Sequence, residues 1–155
     1  MEIKRIIESL ENSPKILAEM LSKIPPKRLA ERRIKGKWNI HEHAVHISRT
    51  QPMLNVRLER FMKEKSPAFV PYDPSKTKTP DELMKVDLKQ ALKDFAKERK
   101  RFIAMLKKLK PADWRNKARH PEYDEYTPYI MARHVLLHDN VHMYRIEELW
   151  LTKKL

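Results

Sequence analysis

Hydrophobic residues recur at intervals of three and four along four long stretches of the chain, which is the spacing of one face of an α-helix. The stretches cover residues 2–24, 40–65, 80–109 and 128–152. Polar and charged residues fill the positions between the hydrophobic ones, so each helix has one face to bury. Four amphipathic helices with two sizeable connections predict a four-helix bundle, and the fold class is therefore all-α.

Local start signals support three of these helix boundaries. Asn39 is followed three residues later by Glu42, a pattern typical of a capping box at the start of the second helix. Thr79, with Pro80 next and Glu82 three residues on, predicts the same arrangement for the third helix. Thr127 followed by proline predicts the start of the fourth.

Two prolines fall inside the predicted helices. Pro14, after Asn12 and Ser13, either divides the first segment into two pieces, at 2–11 and 14–24, or kinks a single helix. Pro52 is expected to kink the second helix, which leaves the rotation of its two halves open.

The composition favours one helical domain spanning residues 1–155. The chain has 41% hydrophobic residues, one glycine and eleven prolines, a balance that suits helices ended by proline better than a sheet with glycine turns. There is no cysteine, so disulfides, thiolate metal ligands and a thiol nucleophile are excluded. No apolar run reaches the roughly 20 residues of a membrane span, and no signal peptide is recognisable, so we expect a soluble cytoplasmic protein with no membrane partner.

The formal net charge is +13 at pH 7, which is high for 155 residues. Such an excess is compatible with an anionic partner such as nucleic acid or a small acidic molecule. Lysine-rich surfaces that form ion-pair networks are an equally good explanation.

Histidines supply the clearest chemical signal. His138 and His142 lie one turn apart on the hydrophobic face of the last helix, so both imidazoles can reach one cation. A third ligand has to come from a neighbouring helix, and the second helix offers His41, His43 and His46. Periodicity favours His43 as the inward residue, but the proline in that helix leaves the phase open. Three protein nitrogens would leave coordination positions for water, the pattern of a catalytic metal site.

Other polar residues share these inward faces. His134 lies one turn before the histidine pair, so it is either a further ligand or a hydrogen-bonded core residue. Arg99 and Arg145 point inward by phase. They either bind an anionic or thiol-bearing substrate beside the metal or form buried pairs with Glu98 or another carboxylate.

Several motifs resemble those of the DinB-like superfamily, also called the DinB/YfiT-like group of metal-dependent enzymes. The resemblance covers about residues 10–150 and rests on these motifs: Gly-Lys-Trp-Asn-Ile-His-Glu at 36–42, His46-Ile47, Arg57-Leu58, Phe95 with Arg99, Asp113-Trp114, His120-Pro121-Glu122, Thr127, and His138-Asp139 followed by His142 and Ile146. A ligand histidine eight residues after the tryptophan corresponds to His46. The resemblance thus implies that His46, His138 and His142 bind a divalent ion, nickel or zinc, in a bundle that dimerises.

The resemblance also implies a class of activity, a metal-dependent hydrolase or thiol transferase acting on a small molecule. Any thiol would be a cosubstrate, because the chain has no cysteine. Arg49 and Arg145 stand where the family often has Asp and Gln, so substrate contacts do not transfer directly. The alternative is a basic nucleic-acid-binding module, linked to DNA damage, with a structural or vestigial metal site. No general base follows from the sequence.

Overall fold

The computed structural model describes residues 2–71 and 81–153 and shows a bundle of four long helices. Its elements are α1 (Ile3–Ser22), α2 (Pro26–Ala30), α3 (Ile40–Lys63), α4 (Leu88–Leu106) and α5 (Pro128–Leu151), the strands β1 (Ala118–His120) and β2 (Tyr123–Tyr126), and 3-10 turns at Leu83–Lys85 and Asp113–Arg115. The predicted all-α four-helix bundle is confirmed. The predicted bounds of α1, α3 and α5 agree with the structure to within two residues.

The long helices contact one another in a closed ring, because both α1 and α3 pack against α4 and α5. Two clusters of buried side chains fill the interior. One is centred on Leu58, Phe102 and Met131, and the other on Leu17, Phe95 and Ile146. Since α3 and α5 are direct neighbours, side chains on their facing sides can meet.

The start of α3 is held by the predicted capping box. The Glu42 backbone N–H donates to Oδ1 of Asn39 at 2.9 Å, and the Asn39 N–H donates to Oε2 of Glu42 at 3.0 Å. Arg32 donates to the other oxygen of the buried Glu42 carboxylate at 2.8 Å. These bonds determine where the helix begins and so the direction of each side chain in its first turns.

The segment around Pro14 forms one helix, not two, since α1 is continuous through the proline. Proline has no N–H to donate to the carbonyl of Leu10, four residues earlier. That carbonyl accepts a hydrogen bond from Nη1 of Arg99 at 3.3 Å instead. A side chain of α4 thus supplies a donor to the carbonyl that the proline leaves without one. Pro52 likewise lies inside a continuous α3.

The predicted start of the third long helix is wrong. Asp81 has φ of 79°, in the left-handed region, and Val86 is extended, so no α-helix runs through these residues. The helix begins instead at Leu88, where the Asp87 side chain accepts from the Gln90 N–H at 2.6 Å. It ends at Leu106 rather than at 109. Thr79 and Pro80, part of the predicted cap, lie outside the described residues.

Tertiary contacts explain why residues 83–85 form a 3-10 turn ahead of α4. Nε2 of His41 lies 3.1 Å from the Leu83 carbonyl oxygen, and Nδ2 of Asn39 lies 3.1 Å from the Met84 sulfur. The segment before α4 is therefore held against the start of α3. A second capping pattern, Asp87 with Gln90, was available in the sequence and begins the helix.

The connection before α5 contains a small antiparallel hairpin that the sequence pattern did not predict. Strand β1 pairs with β2, with Ala118 opposite Tyr126. The Tyr126 ring is buried against Phe61 and Phe69. Directly after the hairpin, the Thr127 side chain accepts from the N–H of residue 130 at 3.3 Å and begins α5 as predicted.

Within the described parts of the chain, no helix combines the length and apolar content needed to cross a membrane.

Candidate metal centre

Three histidines converge at the interface between α3 and α5. His46, His138 and His142 each place one ring nitrogen within 4.8 Å of the nitrogens of the other two. Nε2 of His46 lies 3.1 Å from Nε2 of His138. Nitrogens that share a tetrahedral ion at 2.0–2.1 Å lie about 3.3 Å apart, which is close to the separation between His46 and His138. Among the described residues, this is the only such group of histidine, aspartate or glutamate side chains.

The structure thus brings together the three residues that the resemblance had singled out. His46 is 9% exposed and faces α5, whereas periodicity alone favoured His43. His43 is not a member of the converging group. It lies at the edge of the group, with its Nδ1 2.8 Å from Nδ1 of His142.

Burial keeps these imidazoles neutral at pH 7. Together with a smaller effect of the nearby imidazoles, burial lowers the pKa of His46 to about 4 and that of His142 to about 3. Burial also lowers the pKa of His138, although the Asp139 carboxylate acts in the opposite direction. The neutral ring is the form that can bind a metal, since one nitrogen keeps its lone pair.

An indole ring covers one side of the histidines. The Trp38 ring lies 4.7 Å from that of His46, 5.5 Å from that of His43 and 6.0 Å from that of His142, measured between centroids. Trp38 packs against these rings and is itself 38% exposed, so the indole lies between part of the histidine group and solvent. The sequence analysis used Trp38 only as a motif marker. Its position directly before the capping residue Asn39 was the signal that it lies beside the first turns of α3.

Arg99 does not line the site. Its Nη1 and Nη2 donate to the two carboxylate oxygens of Asp139 at 2.6 and 3.1 Å, and its Nε donates to Oε1 of Gln51 at 2.7 Å. Both charged side chains are 2% exposed. Of the two explanations for this arginine, the structure shows the buried pair. The partner is Asp139, since the Glu98 carboxylate accepts from Asn55.

The predicted inward position of Arg145 is wrong. Its side chain is 53% exposed and donates to Glu148 at 2.6 Å. The next residue, Ile146, is fully buried, so the core-facing side of α5 passes beside position 145. The guanidinium is nevertheless close enough to lower the pKa of His43, after the larger effect of burial. A positive charge therefore lies at the outer edge of the histidine group.

The other histidines lie outside the group. The His134 ring packs near those of Tyr123 and Tyr126, at 5.2 and 6.0 Å between centroids. His120 contacts the same two tyrosines. Nε2 of His41 lies beside the Leu83 carbonyl oxygen, ahead of α4. The idea that His134 is a further ligand is therefore not supported by its position.

The donor set suits a divalent transition metal. Three neutral imidazoles are typical ligands of zinc, nickel, copper and iron, whereas magnesium and calcium prefer oxygen. No carboxylate belongs to the group within the part of the chain that the structure describes. Three protein ligands also leave room for water or a substrate atom on the ion, as in catalytic sites.

Two proteins to which this chain is similar are named for a metal-dependent hydrolase activity. A curated relative from Bacillus mycoides (strain KBAB4), named "putative metal-dependent hydrolase", is 28% identical over 124 residues, which are 79% of this chain and 70% of the relative. YfiT from Bacillus subtilis, described as a probable metal-dependent hydrolase with an unusual four-helix bundle topology, has a similar structure. The TM-score is 0.84 at 21% identity, with 96% of this chain and 85% of that chain covered, and this likeness concerns the fold. The family model of the DinB superfamily matches residues 9–146. The chain therefore belongs to the DinB superfamily.

Proposed function

We propose that this protein is a metal-dependent hydrolase that binds one divalent cation through His46, His138 and His142. The observation that carries the proposal is the convergence of three neutral imidazoles, from two helices, within 4.8 Å. The name of the Bacillus mycoides relative supports the same class of reaction. We expect zinc or nickel, because both ions bind well to nitrogen ligands.

The chain's own residues have limited roles in this proposal. The bound cation would lower the pKa of a coordinated water and polarise the electrophilic group of the substrate. The imidazoles hold the ion, and Trp38 shields one side of the site from solvent. The adjacent carboxylate, Asp139, is held by Arg99 and is not available as a general base.

The substrate in this proposal is a small, anionic molecule. Arg145 lies at the edge of the site, where its positive charge contributes to the lowered pKa of His43. The net charge of +13 adds a long-range attraction for anions. If a low-molecular-weight thiol replaces water as the nucleophile, the reaction is a transfer rather than a hydrolysis.

Metal analysis of protein purified without a histidine tag tests the first step. We expect about one equivalent of zinc or nickel per chain after incubation and dialysis. Less than about 0.2 equivalents for both ions would overturn the proposal.

An activity assay tests the second step. The protein loaded with each ion is assayed on activated esters, with and without a thiol such as cysteine. Product formation without thiol supports the hydrolase, whereas strict dependence on thiol identifies a transferase.

A second candidate function is binding to nucleic acid through a basic face of α4. Lys89, Lys93, Lys97 and Lys100 are exposed at intervals of three and four, so they lie along one side of the helix. None of them forms an ion pair with a carboxylate among the described residues. Such an arrangement favours contact with a phosphate backbone over a network of surface ion pairs.

Fluorescence anisotropy with a labelled DNA duplex tests this candidate. Binding should weaken by at least about tenfold between about 50 and 200 mM salt, because counterion release makes the affinity salt-dependent. Replacing both Lys93 and Lys97 by glutamate should remove it. No binding at the lower salt concentration rejects the candidate.

A further inference from the structure

We propose that His43 positions His142 for metal binding, by accepting a hydrogen bond from Nδ1 of His142 so that Nε2 is left for the cation. This inference rests on the proposed function, since it concerns the same metal site. His43 is a positioning residue here and not a ligand.

The contact itself is short and well placed. The two Nδ1 atoms lie 2.8 Å apart, and the ring centroids lie 5.1 Å apart. His43 precedes His46 by three residues on α3, and His142 follows His138 by four on α5. Two histidine pairs therefore link the same two helices on adjacent turns. His46 and His138 face each other through Nε2, and His43 and His142 through Nδ1.

The chemistry of neutral imidazole restricts the direction of the second bond. A neutral ring has one N–H donor and one nitrogen with a free lone pair. If His142 donates from Nδ1, its Nε2 keeps the lone pair and can bind a metal. If His43 donates instead, the proton of His142 lies on Nε2, which then cannot bind. Metal binding through Nε2 thus requires His43 to be the acceptor.

The surroundings of His43 fit an orienting role. Its ring packs edge-on against Trp38 at 5.5 Å, which limits rotation of the acceptor nitrogen. The same indole stacks on His142 at 6.0 Å. His43 does not belong to the group whose nitrogens lie within 4.8 Å of one another. Metal-binding histidines commonly donate their second N–H to a carboxylate, a backbone carbonyl or water, which sets the ring orientation. In this protein the nitrogen of His43 takes the place of that acceptor.

Three variants separate this role from simple packing. His43→Phe keeps an aromatic ring against Trp38 but removes the acceptor. His43→Gln keeps an acceptor oxygen. His41→Phe is the matched control, because it removes an imidazole two residues away that contacts the Leu83 carbonyl and none of the three ligands.

The measurement is the zinc dissociation constant, from competition with a chromophoric chelator. We expect His43→Phe to bind zinc about 10 to 100 times more weakly, as for other partners of metal ligands. His43→Gln should restore most of the affinity, and His41→Phe should match the wild type. The absorption spectrum of bound Co²⁺ should keep its shape in every variant, because the ligand set is unchanged.

Nitrogen-15 NMR of the zinc-loaded wild type gives a test that needs no variant. We expect a proton on Nδ1 of His142 and none on Nδ1 of His43. Zinc bound to Nδ1 of His142 overturns the inference, and so does wild-type affinity in a folded His43→Phe protein. A changed Co²⁺ spectrum in that variant overturns it too, since His43 would then be a ligand. If the wild type binds neither zinc nor nickel, the proposed function fails together with this inference.

Discussion

Two polar clusters lie in the interior of the bundle, and they differ in what they leave available. Arg99 and Asp139 form a paired cluster of opposite charges, in which both carboxylate oxygens and two guanidinium nitrogens bond to each other. The second cluster consists of neutral imidazoles around His46, His138 and His142. Among the described residues, no carboxylate belongs to this cluster, and its ring nitrogens lie within 4.8 Å of one another. In the first cluster the two charges balance each other, whereas the second has the composition of a cation-binding site.

The two clusters are adjacent along α5. Asp139 directly follows His138, so one residue faces Arg99 on α4 while its neighbour faces His46 on α3. The ion pair therefore helps to set the rotation of α5 about its own axis. That rotation determines where His138 points. The buried ion pair thus helps to orient the neighbouring uncharged histidine His138.

The largest expected effect comes from breaking the ion pair. Asp139→Ala should lower the free energy of unfolding by about 3–5 kcal/mol, because the Arg99 charge would stay buried without its partner. Urea denaturation followed by circular dichroism measures this. Glu148→Ala is the control, since its exposed pair with Arg145 should contribute at most about 1 kcal/mol. Equal effects in the two variants would show that the buried pair is not needed for the fold.

Removing one of the three proposed ligands should weaken metal binding and leave the fold intact. His142→Ala should reduce zinc affinity by at least about 100-fold, since one of three protein nitrogens is lost, while the helix content stays at the wild-type value. Chelator competition and far-ultraviolet circular dichroism measure the two properties. His134→Ala serves as control, because this ring contacts tyrosines of the hairpin and none of the three converging histidines. Retained zinc affinity in the first variant would disprove the assignment of His142.

Acid should destabilise the metal-free protein through the same histidines. The usual pKa of 6.5 applies to the unfolded chain, while burial lowers the pKa of His46 to about 4 and of His142 to about 3 in the folded protein. Between these values the unfolded chain binds protons that the folded protein does not, so stability falls as the pH decreases from 6.5 toward 4. We expect the melting temperature to drop by several degrees over this interval.

The control for the acid experiment is His142→Gln, which removes one of the titrating groups. Its melting temperature should fall less between pH 6.5 and 4 than that of the wild type. Parallel curves for the two proteins would mean that other groups cause the acid sensitivity.

The smallest expected effect comes from removing the Trp38 ring that packs against the histidines. Trp38→Ala should weaken zinc binding by about 2- to 10-fold, because the ligand rings lose a packing partner but keep their nitrogens. Isothermal titration calorimetry measures the change. Trp150→Ala removes an indole from α5 that makes no ring contact with the three ligands, and it should leave the affinity unchanged. A loss in Trp38→Ala as large as in His142→Ala would place Trp38 among the essential residues.

Local sequence signals predicted much of the bundle because they act within one turn. Asn39 and Glu42 form the predicted capping box, and Thr127 caps α5 as expected. The start of α4 was misplaced because two similar capping patterns follow each other. Asp87 and Gln90 form the cap that is used, while contacts from α3 hold residues 83–85 in a 3-10 turn. Such contacts between distant segments leave no periodic signal in the chain.

The sequence by itself determined the helical bundle and the pair His138 and His142, since helical spacing places residues four apart on one face. Helical periodicity left the choice between His43 and His46 open, and the motif that begins at Gly36 had already indicated His46. The burial of Arg99 against Asp139 and the exposure of Arg145 were decided only by the tertiary structure. Each depends on how one helix is rotated against its neighbours. The packing of all four helices together sets that rotation, and a pattern within a single segment cannot express it.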